Sequence, residues 1–332
     1  MPHFQISPGF QNLLIKCGKT ALFFWLAGFI VFGDSGALSL VRAGQGGPPI
    51  SFQDPQDTLP NGALKTIVDK TPQELMQTYP QLEGLEPAAD QKDLPMILEK
   101  VGANVEAYFH NFISTSAQEE VVQQRLRPNG KVDESLKQKF RYLLISTPGK
   151  RDFDLQEYRM NKKGRPARQK VLWGGALTSG FASMPALLHP ALQEDSEFSY
   201  LGRQNTAGHD TFVVAFAQIP GVTRFREKIG RKTGAYTVYL EGLVWIDSSN
   251  FQIIRIRTEV LPGQSVKSIM QQITEITFSE VHFAGIPVVF WLPQEVVVET
   301  DRVDGRFRND HRYSDYQLYA SQTKIISDGV SP

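Results

Sequence analysis

Residues 239–260, YLEGLVWIDSSNFQIIRIRTEV, constrain the fold most, because they form a β-hairpin pattern with apolar side chains on both faces. Asp247, Ser248, Ser249 and Asn250 are turn residues between two runs rich in β-branched and aromatic side chains. If Ile246 pairs with Phe251, alternation places Tyr239, Leu243, Trp245, Ile254 and Ile256 on one face. The other face collects Leu240, Val244, Ile246, Phe251 and Ile253, with Arg255 and Arg257 at its far end. A sheet resting on one core would turn polar residues to water on its second face. This hairpin must lie between two layers or line a cavity.

Its surroundings are one helix followed by strands. Leu94, Ile97, Leu98, Val101, Val105, Tyr108, Phe109, Phe112 and Ile113 recur at intervals of three and four, with Asp93 placed as a cap and Pro95 in the first turn. From residue 119 onward, alternating segments are joined by short turns such as NTAGH, DSSN, AGIP and RVDG, which make neighbouring strands antiparallel. The expected fold class is α+β: a long curved antiparallel sheet of about nine or ten strands, an unclosed barrel wrapped on one main helix. Residues 171–195, rich in Gly, Ala, Leu and aromatics, supply a helical lid or plug. Bulky Trp173, Phe181 and Met184 there seek burial, while Gly174, Gly175 and Gly180 permit a change of direction.

The N-terminal part has a different character. Lys16 and Lys19 precede the 13-residue apolar run TALFFWLAGFIVF, which is shorter than the roughly 20 residues that cross a bilayer. Small residues allow cleavage after Ala37 or Ala43, so residues 1–43 read as a signal peptide, with a retained inner-membrane anchor as the alternative. The only cysteine, Cys17, precedes the apolar run, where it cannot serve as a lipidation site. Residues 44–91 form a Pro/Gly-rich linker with one short helix, in which Thr71, Pro72 and Glu74 make a capping box. A main domain over 92–325 and a tail over 326–332 complete the chain.

Catalytic and metal chemistry find little support. The histidines lack H-x-x-x-H or H-E-x-x-H spacing, no G-x-S-x-G surrounds a serine, and the segment after the signal has no cysteine. His209-Asp210 and Asp310-His311 are neighbours whose side chains point to opposite faces of a strand. The expectation is no enzyme, no cofactor and no metal. A formal net charge of zero gives no reason to expect a nucleic-acid partner. Two basic loops, residues 161–170 and 223–234, stand out as surfaces for an anionic membrane.

The phrases GLVWIDSSNFQIIRIRTEV and ITFSEVHFAGIPVVFWLPQEVVVET resemble the LolA-like outer-membrane lipoprotein carriers and lipoprotein-sorting proteins. The positions that carry the resemblance are Gly242, Val244, Trp245, Ile246, Asp247, Phe251, Ile254, Arg255, Ile256, Arg257, Leu292 and Pro293. The resemblance implies a half-barrel that holds acyl chains under a helical lid, without catalysis, in the periplasm or outside the cell. On that reading Tyr239, Leu243, Trp245, Ile254 and Ile256 form the cavity wall, Trp173, Phe181 and Met184 the lid, and Arg255 and Arg257 meet an anionic headgroup. The partner is then a lipid or acylated protein. The alternative is an envelope scaffold with a filled core.

Overall fold

The computed structural model describes residues 65–146, 155–173, 175–225, 227–229, 236–264 and 269–319. The expected signal peptide, the first part of the linker, the C-terminal tail and half of the second basic loop lie outside the described residues.

Helix α1 (Pro72–Thr78) begins where the sequence placed it. Thr71 Oγ1 accepts from Glu74 N at 3.3 Å and Glu74 Oε2 accepts from Thr71 N at 2.7 Å, which closes the capping box. Helix α2 (Leu94–His110) turns Ile97, Val101, Val105 and Phe109 inward, as the apolar stripe requires. Asp93 precedes it, but its side chain makes no capping hydrogen bond.

Thirteen strands are described: β1 (Glu86–Pro87), β2 (Thr115–Leu126), β3 (Val132–Ser146), β4 (Leu155–Met160), β5 (Ser196–Thr206), β6 (His209–Gln218), β7 (Glu227–Ile229), β8 (Tyr236–Val238), β9 (Leu240–Asp247), β10 (Ile253–Val260), β11 (Ile269–Val281), β12 (Phe290–Arg302) and β13 (Gly305–Leu318). Eleven of them make one antiparallel sheet in the order β1-β5-β6-β9-β10-β11-β12-β13-β2-β3-β4, and β7 pairs with β8 apart from it. The end strands β1 and β4 do not pair, so the sheet is unclosed.

One apolar core takes side chains from every strand between β5 and β4, including Tyr200, Val214, Val244, Ile256, Ile276, Val296, Tyr313, Ala117, Tyr142 and Leu155. Ten strands at roughly 4.8 Å spacing would be far wider, laid flat, than a helix of roughly 10 Å. The sheet must therefore bend around α2 for these residues to share a core. Two 3₁₀ helices, Phe181–Leu188 and Pro190–Asp195, finish the inner layer. Their approach to α2 is close at Gly102, where a Cβ would stand 2.7 Å from Gln193 Nε2.

The second layer comes from the stretch read as linker. Ile67, Leu75, Tyr79, Leu82 and Leu85 pack with Leu201, Val213, Ala215, Leu243 and Trp245 on the outer face of β5, β6 and β9. Ile67, Leu75 and Leu82 are fully buried there, and β1 extends the sheet along β5. Residues 65–91 are thus a structural cover, which corrects their reading as linker. Every residue of β9 is buried because both of its faces are roofed.

The hairpin register also differs from expectation. Ile246 pairs with Ile253 rather than Phe251, and after an irregularity Trp245 pairs with Arg255 and Leu243 with Arg257. Phe251 adopts a left-handed backbone, φ 57°, within a longer turn. The odd-numbered shift swaps which β10 residues accompany Leu243 and Trp245.

Candidate functional site

The inner face has an apolar half and a polar half. Around β9–β12 it presents Val244, Ile246, Ile253, Ile254, Ile256, Ile276, Phe278, Phe290 and Trp291 toward α2 and the 3₁₀ segment. Aromatic rings meet edge-on there, Phe112 with Phe290 at 6.0 Å and Tyr108 with Phe112 at 5.4 Å. A cleft of ≈ 20 Å³ opens where α2 meets the β9–β10 turn, lined by Asn104, Val105, Tyr108, Pro185, Phe251, Gln252, Ile253, Phe278 and Trp291. Phe251 stacks on Phe212 at 5.8 Å, and the Lys100 ammonium lies 4.6 Å from its ring centre.

Few polar ties hold α2 in place. Asn104 Nδ2 donates to Asn250 O at 2.7 Å, Tyr108 OH to Ala182 O at 3.1 Å, and Gln193 Nε2 to Leu98 O at 2.8 Å.

The polar half lies under residues 176–182. Glu119 on β2 accepts from Arg159 Nε and Nη2 at 2.6 and 2.7 Å, from Tyr313 OH at 3.1 Å, and pairs with His311 Nδ1 at 2.9 Å. Burial pushes the Glu119 carboxyl up, but the Arg159 charge and the His311 hydrogen bond outweigh it and hold it at about 2. Burial lowers the His311 pKa, which favours the neutral ring, and a proton on Nδ1 is what lets it donate to the Glu119 carboxylate. This floor grips the chain above it: Arg159 Nη2 donates to Thr178 O at 2.8 Å, Asn309 Nδ2 to Ala176 O at 2.7 Å, and Gln123 Nε2 to Ala176 O at 3.4 Å. Glu157, whose pKa is raised by burial, accepts from Gly180 N and Ala182 N at 2.7 and 3.1 Å. Sequence reasoning missed this cluster; the inward parity of Glu119, Gln123, Asn309 and His311 on alternating strands was its one visible signal.

The residues expected at a cavity wall separate into two groups. Ile254 and Ile256 belong to the inner core. Leu243 and Trp245 face the outer layer under residues 67–85, and Tyr239 packs with Ala217 and Leu261 away from the inner core. Their assignment to one wall with Ile254 and Ile256 is corrected by the register. Trp245 Nε1 donates to Gln204 Oε1 at 2.7 Å, which gives the buried indole a partner.

Arg255 and Arg257 also lie on the outer face. Arg255 stacks over Trp245 at 4.7 Å and pairs with Glu275 at 2.5 Å; Arg257, 5% exposed, stacks over Tyr79 at 4.7 Å and pairs with Glu259 at 3.3 Å. Arg257 thereby clamps the N-terminal cover, through Tyr79, onto the sheet. Among the expected lid residues, Phe181 and Met184 are buried in the inner core, whereas Trp173 is 75% exposed.

The neighbouring His-Asp pairs do not act together. His209 Nδ1 pairs with Asp247 Oδ2 at 2.7 Å, and Asp247 Oδ1 accepts from Ser249 N and Asn250 N, organising the turn. His311 turns to Glu119 and not to Asp310. Among the described residues no group of three or more His, Cys, Asp or Glu is arranged to hold a metal ion.

Fold and interior together define a class: an unclosed antiparallel sheet whose apolar inner face is roofed by an amphipathic helix and a polar-tied 3₁₀ segment. No protein-family model matches the sequence, and no curated protein matches it significantly. Among solved structures, the chain is similar to one described as an outer membrane lipoprotein-sorting protein domain from Vibrio parahaemolyticus, at 14% identity and TM-score 0.38, covering 69% of this chain and 94% of that one. It is similar to a LolA superfamily protein from Nitrosomonas europaea at 14% identity and TM-score 0.37, covering 69% and 96%. A DUF1329 family protein from Desulfovibrio piger matches at 12% identity and TM-score 0.36, covering 68% and 93%. The first two bear the family names that the hairpin phrases resemble.

Proposed function

We propose that this chain is a non-enzymatic binding protein of the periplasm or cell exterior that holds a lipid, or the acyl chains of a lipidated polypeptide, between α2 and the inner face of the sheet. The observation that supports this reading most is the contrast between the two inner covers. Residues 176–182 are tied by charged and amide side chains, while α2 rests on apolar contacts and three hydrogen bonds, two of them beside the cleft.

In this mechanism α2 lifts at the cleft, and an acyl chain takes the place of aromatic side chains along Phe278, Trp291, Ile254 and Ile256, with Phe181 and Met184 closing the far side. Phe251 acts as the gate. Its left-handed backbone stores strain that a bound chain relieves by letting the turn relax. Burying roughly 25 cal/mol per Å² of acyl surface drives the exchange.

Organic extraction of the protein purified from its native envelope, followed by lipid mass spectrometry, tests the reading. A stoichiometric lipid supports it. A lipid-free protein that also fails to take up a fluorescent long-chain fatty acid after mild delipidation points instead to the scaffold reading. The filled interior favours that second reading, since a cleft of ≈ 20 Å³ is about the size of one water.

A further inference from the structure

The hairpin that follows β4 concentrates basic charge. Residues 161–170, NKKGRPARQK, carry Lys162, Lys163, Arg165, Arg168 and Lys170 and no acidic residue. All five side chains are exposed, and none forms an ion pair among the described residues. Acids on the two preceding strands are already engaged: Asp133 on β3 by Arg125 and Arg127 at 2.9 and 3.0 Å, and Glu120 on β2 by Lys137 and Lys139 at 2.5 and 2.9 Å.

The backbone of this loop is fixed. Asn161 Oδ1 accepts from Lys163 N and Arg165 N at 2.8 and 3.2 Å, and Asn161 N donates to Arg165 O at 2.8 Å. Ala167 N donates to Arg159 O at 2.9 Å, and Lys170 is held to Gln138 by hydrogen bonds of 2.8 and 2.9 Å. Three residues further on the chain makes a turn, Gly175 N to Leu172 O at 2.8 Å, that buries Leu172 and sends Trp173 outward. Val171 beside it is 41% exposed.

Scattered exposed aliphatic residues need no explanation, but a 75% exposed indole next to five cations that form no ion pair among the described residues has a specific chemical fit. Indoles settle at the headgroup level of a bilayer, and cations are drawn to anionic lipid at about a five-fold gain in binding each. A single-stranded nucleic acid would instead want several aromatic platforms along a basic groove. Among the described residues this edge offers two, Trp173 and the 45% exposed Tyr158 on β4, too few for a run of stacked bases.

We propose that the β4 hairpin and Trp173 form a docking surface for an anionic membrane, with the five cations over lipid phosphates and Trp173 and Val171 inserted at the interface. The surface is separate from the helix-sheet interior, so it stands whether or not a lipid is carried there.

Vesicle sedimentation tests it, using the full chain with phosphatidylcholine vesicles containing or lacking phosphatidylglycerol. Because parent and variants share residues 20–32, the difference between them is the readout. Lys162→Gln, Lys163→Gln and Arg165→Gln combined should weaken binding to phosphatidylglycerol vesicles about 100-fold, and the parent's binding should fall steeply with salt. Trp173→Ser should weaken it roughly ten-fold while leaving the salt dependence unchanged, and should reduce the blue shift of emission that vesicles induce in the parent to the part contributed by Trp25 in the shared apolar run. All these side chains are exposed, and equal denaturant midpoints would confirm that the variants fold. Equal vesicle binding by parent and variants overturns the proposal. So does tighter binding of the parent to single-stranded RNA than to vesicles at the same salt concentration.

Discussion

Arg159 on β4 reaches past β3 to clasp Glu119 on β2 through two hydrogen bonds of 2.6 and 2.7 Å, with both side chains almost wholly buried. Removing one partner leaves the other charge buried without compensation, which costs about 3–5 kcal/mol. Arg159→Met should lower the denaturant midpoint by that equivalent, and adding Glu119→Gln should recover a large part of it. The pair also sets an acid limit. Because the folded Glu119 carboxyl is held below its ordinary 4.5, its contribution is complete above pH 4.5 and is lost as the pH falls toward about 2. A variant lacking the pair should therefore show a flatter loss of stability over that window.

Glu241 gives the opposite pH dependence. It is 2% exposed, accepts from Ile67 N at 2.9 Å, and burial pushes its carboxyl up to about 7. A raised folded pKa contributes stability that is complete below pH 4.5 and lost as the pH rises through about 7. Glu241→Gln keeps an acceptor for Ile67 and removes the ionisation. Thermal or urea unfolding should show it more stable than the parent at pH 8, by up to about 3 kcal/mol, with no gain at pH 4.

Ile256 and Arg257 point to opposite layers, yet both are sensitive. Ile256→Glu places a carboxylate in the fully buried inner core. Arg257→Glu removes the partner of Glu259 and the cation over Tyr79, and adds a third acid beside Glu241 and Glu259. Both variants should lose several kcal/mol in urea titrations. An unchanged midpoint for Arg257→Glu would contradict the observed register.

Gly242 is required by a close approach across the hairpin. A Cβ built there would lie 1.9 Å from Arg257 O, a backbone atom that can move only by separating β9 from β10. Gly242→Ala should cost more than the roughly 1 kcal/mol usual for a point substitution. Hydrogen exchange should show faster opening of the β9 and β10 amides while the β2–β3 amides remain protected.

Much of the fold was legible locally. The α2 stripe, the Thr71 capping box and the short turns of the antiparallel succession depend on residues within a few positions of one another, so the sequence displays them. The candidate site was legible only in part. Ile254, Ile256, Phe181 and Met184 were recognisable as apolar residues in search of cover, and they do lie in the inner core. The Glu119–Arg159–His311 cluster was hidden because its members stand 40 and 192 positions apart and meet only through strand order.

The hairpin's two apolar faces were the sequence's own statement that two layers must exist, since alternation and hydrophobicity are local properties. Which layer each face meets was decided by the tertiary structure. A turn that admits Phe251 at positive φ, followed by a bulge after Ile253, moves the rest of β10 by an odd number of residues, and its side chains from Ile254 onward change faces. The outer layer itself came from residues whose Pro- and Gln-rich composition suggests a linker. Ile67, Leu75 and Leu82 are too sparse to predict a fold alone, but they become a cover once β5, β6 and β9 give them an apolar surface to bury.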